Sequence, residues 1–188
     1  MAVVDSNLPR FTLISGPAGS GKSRWAEHLA AHSGLDVIYI ATGPILEDDA
    51  SWQERLRRHR DRRPPDWDLW EVAGDLSPAL GRLVSGQLAL IDSLGTWVAA
   101  HLEADQGEWS CCCQALLEQV RIGAGHLLMV GEECGWGVVP PTAVGGRFRE
   151  RLAVLQQQLA AEADASWLVI HGRALNLMSL SLPVPGVP

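Results

Sequence analysis

The stretch Gly16-Pro17-Ala18-Gly19-Ser20-Gly21-Lys22-Ser23 matches G-x-x-x-x-G-K-[ST] at every fixed position. Such a loop works only where a strand delivers it and a helix leaves it. The glycines let backbone N–H groups converge on phosphate oxygens, and the helix start turns its positive dipole end to the same anion. The flanks agree: Phe11–Ser15 is short and β-prone, and Ser23–Ala31 reads as a helix. In this setting Lys22 reaches the β- and γ-phosphates of a nucleoside triphosphate, GTP or ATP, and the Ser23 hydroxyl ligates Mg²⁺. A glycine-rich turn holding no ligand is the alternative.

The rest of the chain repeats that unit. Val37–Ala41 is an apolar, β-branched run bounded by Ser33-Gly34 and Gly43-Pro44, the pattern of a strand covered on both faces. Leu69–Val72 reads as a short strand, Leu76–Val84 as a helix and Leu88–Ile91 as an apolar strand ending in Asp92. Helical stretches follow at about Leu94–Glu103 and Trp109–Ile122, then a strand at His126–Val130 and a Gly- and Pro-rich loop over Gly131–Thr142. A long helix at about Gly146–Ala163 leads to a strand at Trp167–His171. This alternation predicts an α/β fold of the P-loop NTPase (RecA-like) type, a mostly parallel sheet with helices on both faces. The 188 residues suffice for one buried core and fall short of two ordinary domains. The expectation is one nucleotide-binding domain over 1–188 with loose ends at about 1–9 and 180–188.

Composition narrows the partners. A formal net charge of −7 argues against the broad positive surface that nucleic acid requires, so an anionic ligand has to be held locally. The longest apolar runs, Leu127–Val130 and Trp167–Ile170, fall far short of the roughly 20 residues that span a bilayer. Met1–Arg10 carries acidic and polar residues where a secretory signal has a basic start and an apolar core, which gives a cytoplasmic expectation. Cys111, Cys112 and Cys113 are consecutive and Cys134 stands apart, so reduced structural thiols are expected in place of a metal knuckle or disulfide framework. The eight tryptophans are expected in the core or at a subunit contact.

Two further features bear on chemistry. Asp92 closes an apolar strand, where P-loop enzymes place the acidic residue that holds Mg²⁺; the same position also suits the N-cap of a helix beginning near Leu94. Arg55, Arg57, Arg58, His59, Arg60, Arg62 and Arg63 crowd into one short segment, and Ser51–Arg60 has helical composition ending before Pro64-Pro65. One reading is a solvated helix face balanced by Glu47, Asp48, Asp49 and Glu54. The other is an anion site around His59, whose imidazole attacks phosphorus and carries a covalent intermediate.

The string Gly16–Arg24, then Tyr39-Ile40-Ala41-Thr42, then Arg55-Leu56 leading to His59, then Arg63-Pro64, Trp67 and Glu71, resembles the bifunctional adenosylcobinamide kinase/adenosylcobinamide-phosphate guanylyltransferase family of cobalamin biosynthesis. Gly135-Trp136-Gly137-Val138-Val139-Pro140 is similar to that family's G-x-G-I-V-P loop, and Phe148-Arg149, Gln157, Leu159-Ala160 and Ala163-Asp164 resemble its long C-terminal helix. The likeness runs from about Phe11 to Gly172.

The resemblance implies two activities. One phosphorylates the aminopropanol hydroxyl of adenosylcobinamide from a nucleoside triphosphate. The other takes GMP from GTP onto a histidine, releasing pyrophosphate, and passes it to the phosphorylated cobinamide to give adenosylcobinamide-GDP. His59 falls on the guanylylated histidine, and Ala41, Thr42, Gly43, Arg60, Asp61, Arg62, Arg63, Glu71 and Asp92 fall on nucleotide-binding positions. Ring-like homo-oligomers are implied in the same way. A histidine nucleophile splits one nucleotidyl transfer into two displacements, while flanking arginines offset charge on the phosphoryl oxygens.

Several positions depart from the family pattern. Glu132-Glu133-Cys134-Gly135 stands where the family reads Asn-Glu before Val-Gly, Arg62 replaces a glycine before Arg-Pro, and Gln156 replaces an asparagine. The rival readings are a different P-loop small-molecule kinase or NTPase with a structural His59, and a nucleotide-binding homologue that has lost catalysis.

Overall fold

Apolar runs too long to leave one face in water become the inner strands of a seven-stranded sheet ordered β3-β2-β4-β5-β1-β6-β7, whose two edge strands are shorter and more exposed. The computed structural model describes residues 8–43, 53, 54, 57, 60–138 and 140–185. β1 (Phe11–Gly16), β2 (Asp36–Ala41), β3 (Asp68–Glu71), β4 (Gln87–Asp92), β5 (His126–Glu132) and β6 (Ala165–Ile170) run parallel. β7 (Arg173–Asn176) closes one edge antiparallel to β6, and α6 (Leu177–Leu180) follows it.

Pleating sends alternate side chains to two cores. Leu13, Ile40, Ile91, Leu127 and Met129 pack against α2 (Leu76–Leu80), α3 (Leu94–Ala100), α4 (Gln106–Ile122) and α5 (Ala143–Glu162). Ile14, Tyr39, Leu90, Leu128 and Val130 face the other way, onto Ala26, Leu29 and Ala30 of α1 (Lys22–Ala31). The mostly parallel sheet with helices on both faces is therefore as the alternation predicts. Trp97 and Trp109 are buried and Trp25, Trp67, Trp70 and Trp167 pack partly buried against the cores, whereas Trp136 is exposed. Cys113 sits in the core, where burial pushes its thiol up to about 12.

Several boundaries move, each for a local reason. α4 begins at Gln106, ahead of Trp109, because Asp105 accepts the Gly107 and Glu108 N–H groups while the Glu108 carboxylate accepts the Asp105 N–H. α5 begins at Ala143, ahead of Gly146, where the Thr142 hydroxyl accepts the Gly145 N–H. α2 and α3 end early, at Leu80 and Ala100. The expected strand end at His171 is a turn: His171 (φ 51°) and Gly172 (φ 70°) make a two-residue hairpin that pairs Ile170 with Arg173. At the N-terminal side Leu8 is already buried, and the Pro9 carbonyl lies 3.3 Å from His126 Nδ1. The helix expected at Ser51–Arg60 falls largely outside the described residues, as do Trp52, Arg55, Leu56, Arg58 and His59.

Strand register sets the carboxyl ends in one row. Glu71 pairs with Ala41, Ala41 with Asp92, Asp92 with Val130, and Glu132 with Gly16. From β1 the chain passes beyond β5 and β4 to reach β2, whereas β6 lies on the other side of β1. That reversal opens a crevice above the end of β1, where ligands bind in open α/β sheets.

Candidate active site

The phosphate loop leaves β1 at that crevice. Gly19 (φ 72°) and Gly21 (φ 99°) take left-handed backbone, and Gly21 is the N-cap of α1 with no side-chain hydrogen bond, so the first helical N–H groups are presented to a ligand. Lys22 is 6% exposed and folds back over the loop, its Nζ 3.5 Å from the Pro17 carbonyl. The loop is braced from two sides. The Glu133 N–H donates to the Gly16 carbonyl at 3.0 Å, and the Gly172 N–H donates to the Ser20 carbonyl at 3.1 Å. The hairpin turn that sequence reading missed thus backs the loop, and a cavity of about 380 Å³ lies between them, lined by Gly19, Ser20, Arg24, Trp25, Val169 and Gly172. The sequence signal for it is slight: Gly172 follows the apolar run Trp167–Ile170, but the returning strand Arg173–Asn176 is polar at both ends.

Gly16 has no room for a side chain, because a Cβ there would overlap the Val169 carbonyl oxygen. Gly16→Ala is expected to lose about 1–3 kcal/mol of stability through forced backbone displacement. Denaturant unfolding measures it, and an unchanged midpoint would contradict so close an approach.

Asp92 ends β4, and Ser93, not Asp92, occupies the N-cap of α3. The helix-cap reading of Asp92 is corrected accordingly. Asp92 Oδ2 accepts the Tyr39 hydroxyl at 3.1 Å. Burial, reinforced by the Asp92 charge, pushes the Tyr39 phenol well above its ordinary range and keeps it a donor. The Arg63 guanidinium lies 4.3 Å from the centre of the Tyr39 ring, and its buried Nε has no hydrogen-bond partner among the described residues. Thr42 is fully buried: its hydroxyl donates to the Ser93 carbonyl at 2.6 Å and accepts the Ser93 N–H at 3.1 Å, fastening the end of β2 to the end of β4. Its side chain serves the fold, while the adjoining Ala41 and Gly43 stand at the open end of β2.

The basic segment divides. Arg57 pairs in solvent with Glu54 and Asp61, and Arg60 is exposed, which is the behaviour of a solvated face. Arg62 instead grips Glu27 of α1 through Nε at 3.2 Å and Nη2 at 3.1 Å. That pairing raises its guanidinium further above the ordinary range, with smaller contributions from Tyr39 and Asp92. The segment following His59 is thereby held beside Asp92 and the phosphate-loop helix. His59 itself lies outside the described residues. Glu71 is exposed at the end of β3, bordering a shallow cavity with Asp75 and Arg82.

Two departures from the family pattern meet. The Gln156 amide donates to the Glu132 carbonyl at 3.1 Å, and the Glu132 carboxylate accepts the Gly95 N–H at 2.9 Å. Glu132 thus joins β5 to the first turn of α3, and Gln156 joins it to α5.

For a metal, Ser23 and Asp92 offer a hydroxyl and a carboxylate, the hard oxygen donors that Mg²⁺ takes alongside phosphates and water. Among the described residues no group of three or more His, Cys, Asp or Glu forms an all-protein metal cage.

A family model described as cobinamide kinase/cobinamide phosphate guanyltransferase (CobU) matches residues 12–177. The bifunctional adenosylcobalamin biosynthesis protein CobP of Pseudomonas aeruginosa is 35% identical over 182 residues, 94% of this chain and 98% of that protein. The corresponding CobU proteins of Escherichia coli and Salmonella typhimurium are 32% and 30% identical, each across 88% of this chain and 98% of their own length. Among solved structures, an ATPase from the type III secretion system of pathogenic bacteria superposes with a TM-score of 0.55 at 11% identity, over 93% of this chain and 59% of that one. At that identity the likeness concerns the fold alone.

Proposed function

The chain belongs to the cobinamide kinase/cobinamide phosphate guanyltransferase family, and we propose that it phosphorylates adenosylcobinamide and then transfers GMP from GTP, through His59, to give adenosylcobinamide-GDP. The observation that carries the reading is a complete phosphate loop, folded between β1 and α1 at the sheet's crevice.

In the kinase step the loop amides and Lys22 hold the nucleotide phosphates and offset charge moving onto the leaving diphosphate. Ser23 and Asp92 are the Mg²⁺ ligands in this reading, and the ion supplies further charge stabilisation when bound. In the guanylyl step an imidazole nitrogen of His59 attacks the α-phosphorus of GTP and pyrophosphate leaves. The phosphate oxygen of adenosylcobinamide phosphate then attacks that phosphorus, and the N–P bond breaks to free His59. Arg60, Arg62 and Arg63 follow His59 directly, and the anchoring of Arg62 on Glu27 and Arg63 on Tyr39 supports a nucleotide role for the segment. A cytoplasmic, homo-oligomeric enzyme without nucleic-acid partners completes the reading. No described helix is long and apolar enough to cross a membrane.

Mass analysis of products tests the function: adenosylcobinamide with MgATP alone should give the phosphate, and adenosylcobinamide phosphate with MgGTP should give adenosylcobinamide-GDP, and the absence of either product refutes the corresponding half. Asp92→Asn is expected to raise the Mg²⁺ concentration needed for half-maximal turnover, by about tenfold or more, because one metal-facing charge is removed. An unchanged Mg²⁺ titration with the fold intact counts against the metal role.

A further inference from the structure

A second cavity of about 380 Å³ lies between α5 and the sheet. Leu13 and Ser15 of β1 and Ser166 of β6 line it from the sheet, Gln156 lines it from α5, and Glu133 and Arg149 border it beyond the strand ends. It adjoins the phosphate loop through two covalent and hydrogen-bonded links. Ser15 directly precedes Gly16, and the Glu133 N–H is the group that donates to the Gly16 carbonyl at 3.0 Å. Burial, then the Glu132 and Glu133 charges, raise the Cys134 thiol, and Lys22 and Arg149 oppose them, so the loop lysine and the cavity share one electrostatic neighbourhood.

Two polar groups there lack partners. Among the described residues the half-buried Glu133 carboxylate makes no hydrogen bond or ion pair, in contrast to Glu132, which is engaged by Gly95. The Gln156 Oε1 atom is buried and also unpartnered. Polar atoms kept out of water without a partner cost stability, and such groups gather where a ligand completes them. Burial alone raises the Glu133 carboxyl above its ordinary range, toward the pH at which a proton acceptor works best. At the lower end of ordinary ligand-pocket volumes, the space suits a short hydroxyl-ended arm and excludes a macrocycle.

We propose that this cavity receives the hydroxyl-bearing arm of the alcohol phosphorylated in the kinase step, and that Glu133 is the base that takes the hydroxyl proton. The assignment rests on the kinase reading given above. The alcohol oxygen attacks the γ-phosphorus and its proton passes to a Glu133 carboxylate oxygen. The bond from the γ-phosphorus to the β,γ-bridging oxygen breaks, the nucleoside diphosphate leaves with the electron pair, and Glu133 later returns the proton to water.

Kinase kinetics of the full chain with adenosylcobinamide and MgATP test this. Glu133→Gln is expected to lower kcat by about 100- to 10,000-fold. Its MgATP affinity should stay within about threefold of the parent, because only the proton acceptor is lost. Glu133→Asp should recover part of the rate. Ala153→Trp, which fills the cavity from α5, should raise KM for adenosylcobinamide by about tenfold or more with KM for MgATP little changed. A Glu133→Gln protein that retains kcat, or that loses MgATP affinity in proportion to rate, overturns the base assignment. An Ala153→Trp protein with unchanged KM for adenosylcobinamide overturns the location of the acceptor. A parent chain that fails to phosphorylate adenosylcobinamide at all overturns the kinase reading, and this proposal with it.

Discussion

Replacing Lys22 with alanine is expected to reduce kinase turnover by at least about 100- to 1000-fold, the usual cost of removing one preorganised donor from a developing charge. The residue is 6% exposed, and its one side-chain hydrogen bond among the described residues, to the Pro17 carbonyl, is long at 3.5 Å. Little of the fold depends on that contact, so the loss should appear in nucleotide binding and turnover far more than in the unfolding midpoint. Ser23→Ala should weaken Mg²⁺-dependent turnover in the same direction, since a hard oxygen ligand is removed. Steady-state rates paired with equilibrium MgGTP binding measure both. If both variants bind and turn over MgGTP as the parent does, the phosphate loop has been assigned wrongly.

His59→Ala should remove GMP attachment and guanylyl transfer altogether, because no second nucleophile is part of the mechanism. Phosphorylation of adenosylcobinamide needs the phosphate loop, the metal and a positioned hydroxyl, but no protein nucleophile, so kinase activity should survive at least in part. The split between the two activities is what distinguishes a catalytic histidine from a structural one. A structural His59 would lower both together or neither. Persistent labelling of the His59→Ala protein by GMP would move the nucleophile to another residue.

The strand, loop and helix around Gly16–Ser23 were legible because the motif is local: eight consecutive residues carry the whole signal, and β1 and α1 flank them as it requires. The parallel strands were legible because burial on both faces leaves continuous apolar runs such as Leu88–Ile91. The start of α4 was also within reach, since Asp105 and Glu108 form a capping box that periodicity alone passes over. β7 was harder. Its four residues alternate between exposed and half-buried, and the hairpin turn depends on a left-handed His171.

Contacts between distant parts of the chain were not legible at all. Thr42 reads as a nucleotide-binding position, yet its hydroxyl is used by Ser93, 51 residues away. Glu132 stands where the family has asparagine, and its carboxylate is engaged by Gly95 and its carbonyl by Gln156, two partners that only the fold brings together. Arg62 likewise stands where the family has glycine and finds Glu27 in α1. The role of His59 comes from resemblance to the family, and the arginines after it are the described part of that segment.

The most direct test of the guanylyltransferase claim uses the parent chain with GTP labelled in either the α- or the γ-phosphate, denatured before counting. Label from the α-position should remain on the protein, be released by acid and survive base, as a phosphoramidate on histidine does, and be chased into adenosylcobinamide-GDP by adenosylcobinamide phosphate. Retention of γ-label instead, an adduct that resists acid and yields to base, or no adduct at all would contradict the guanylyl-histidine and the account built on it.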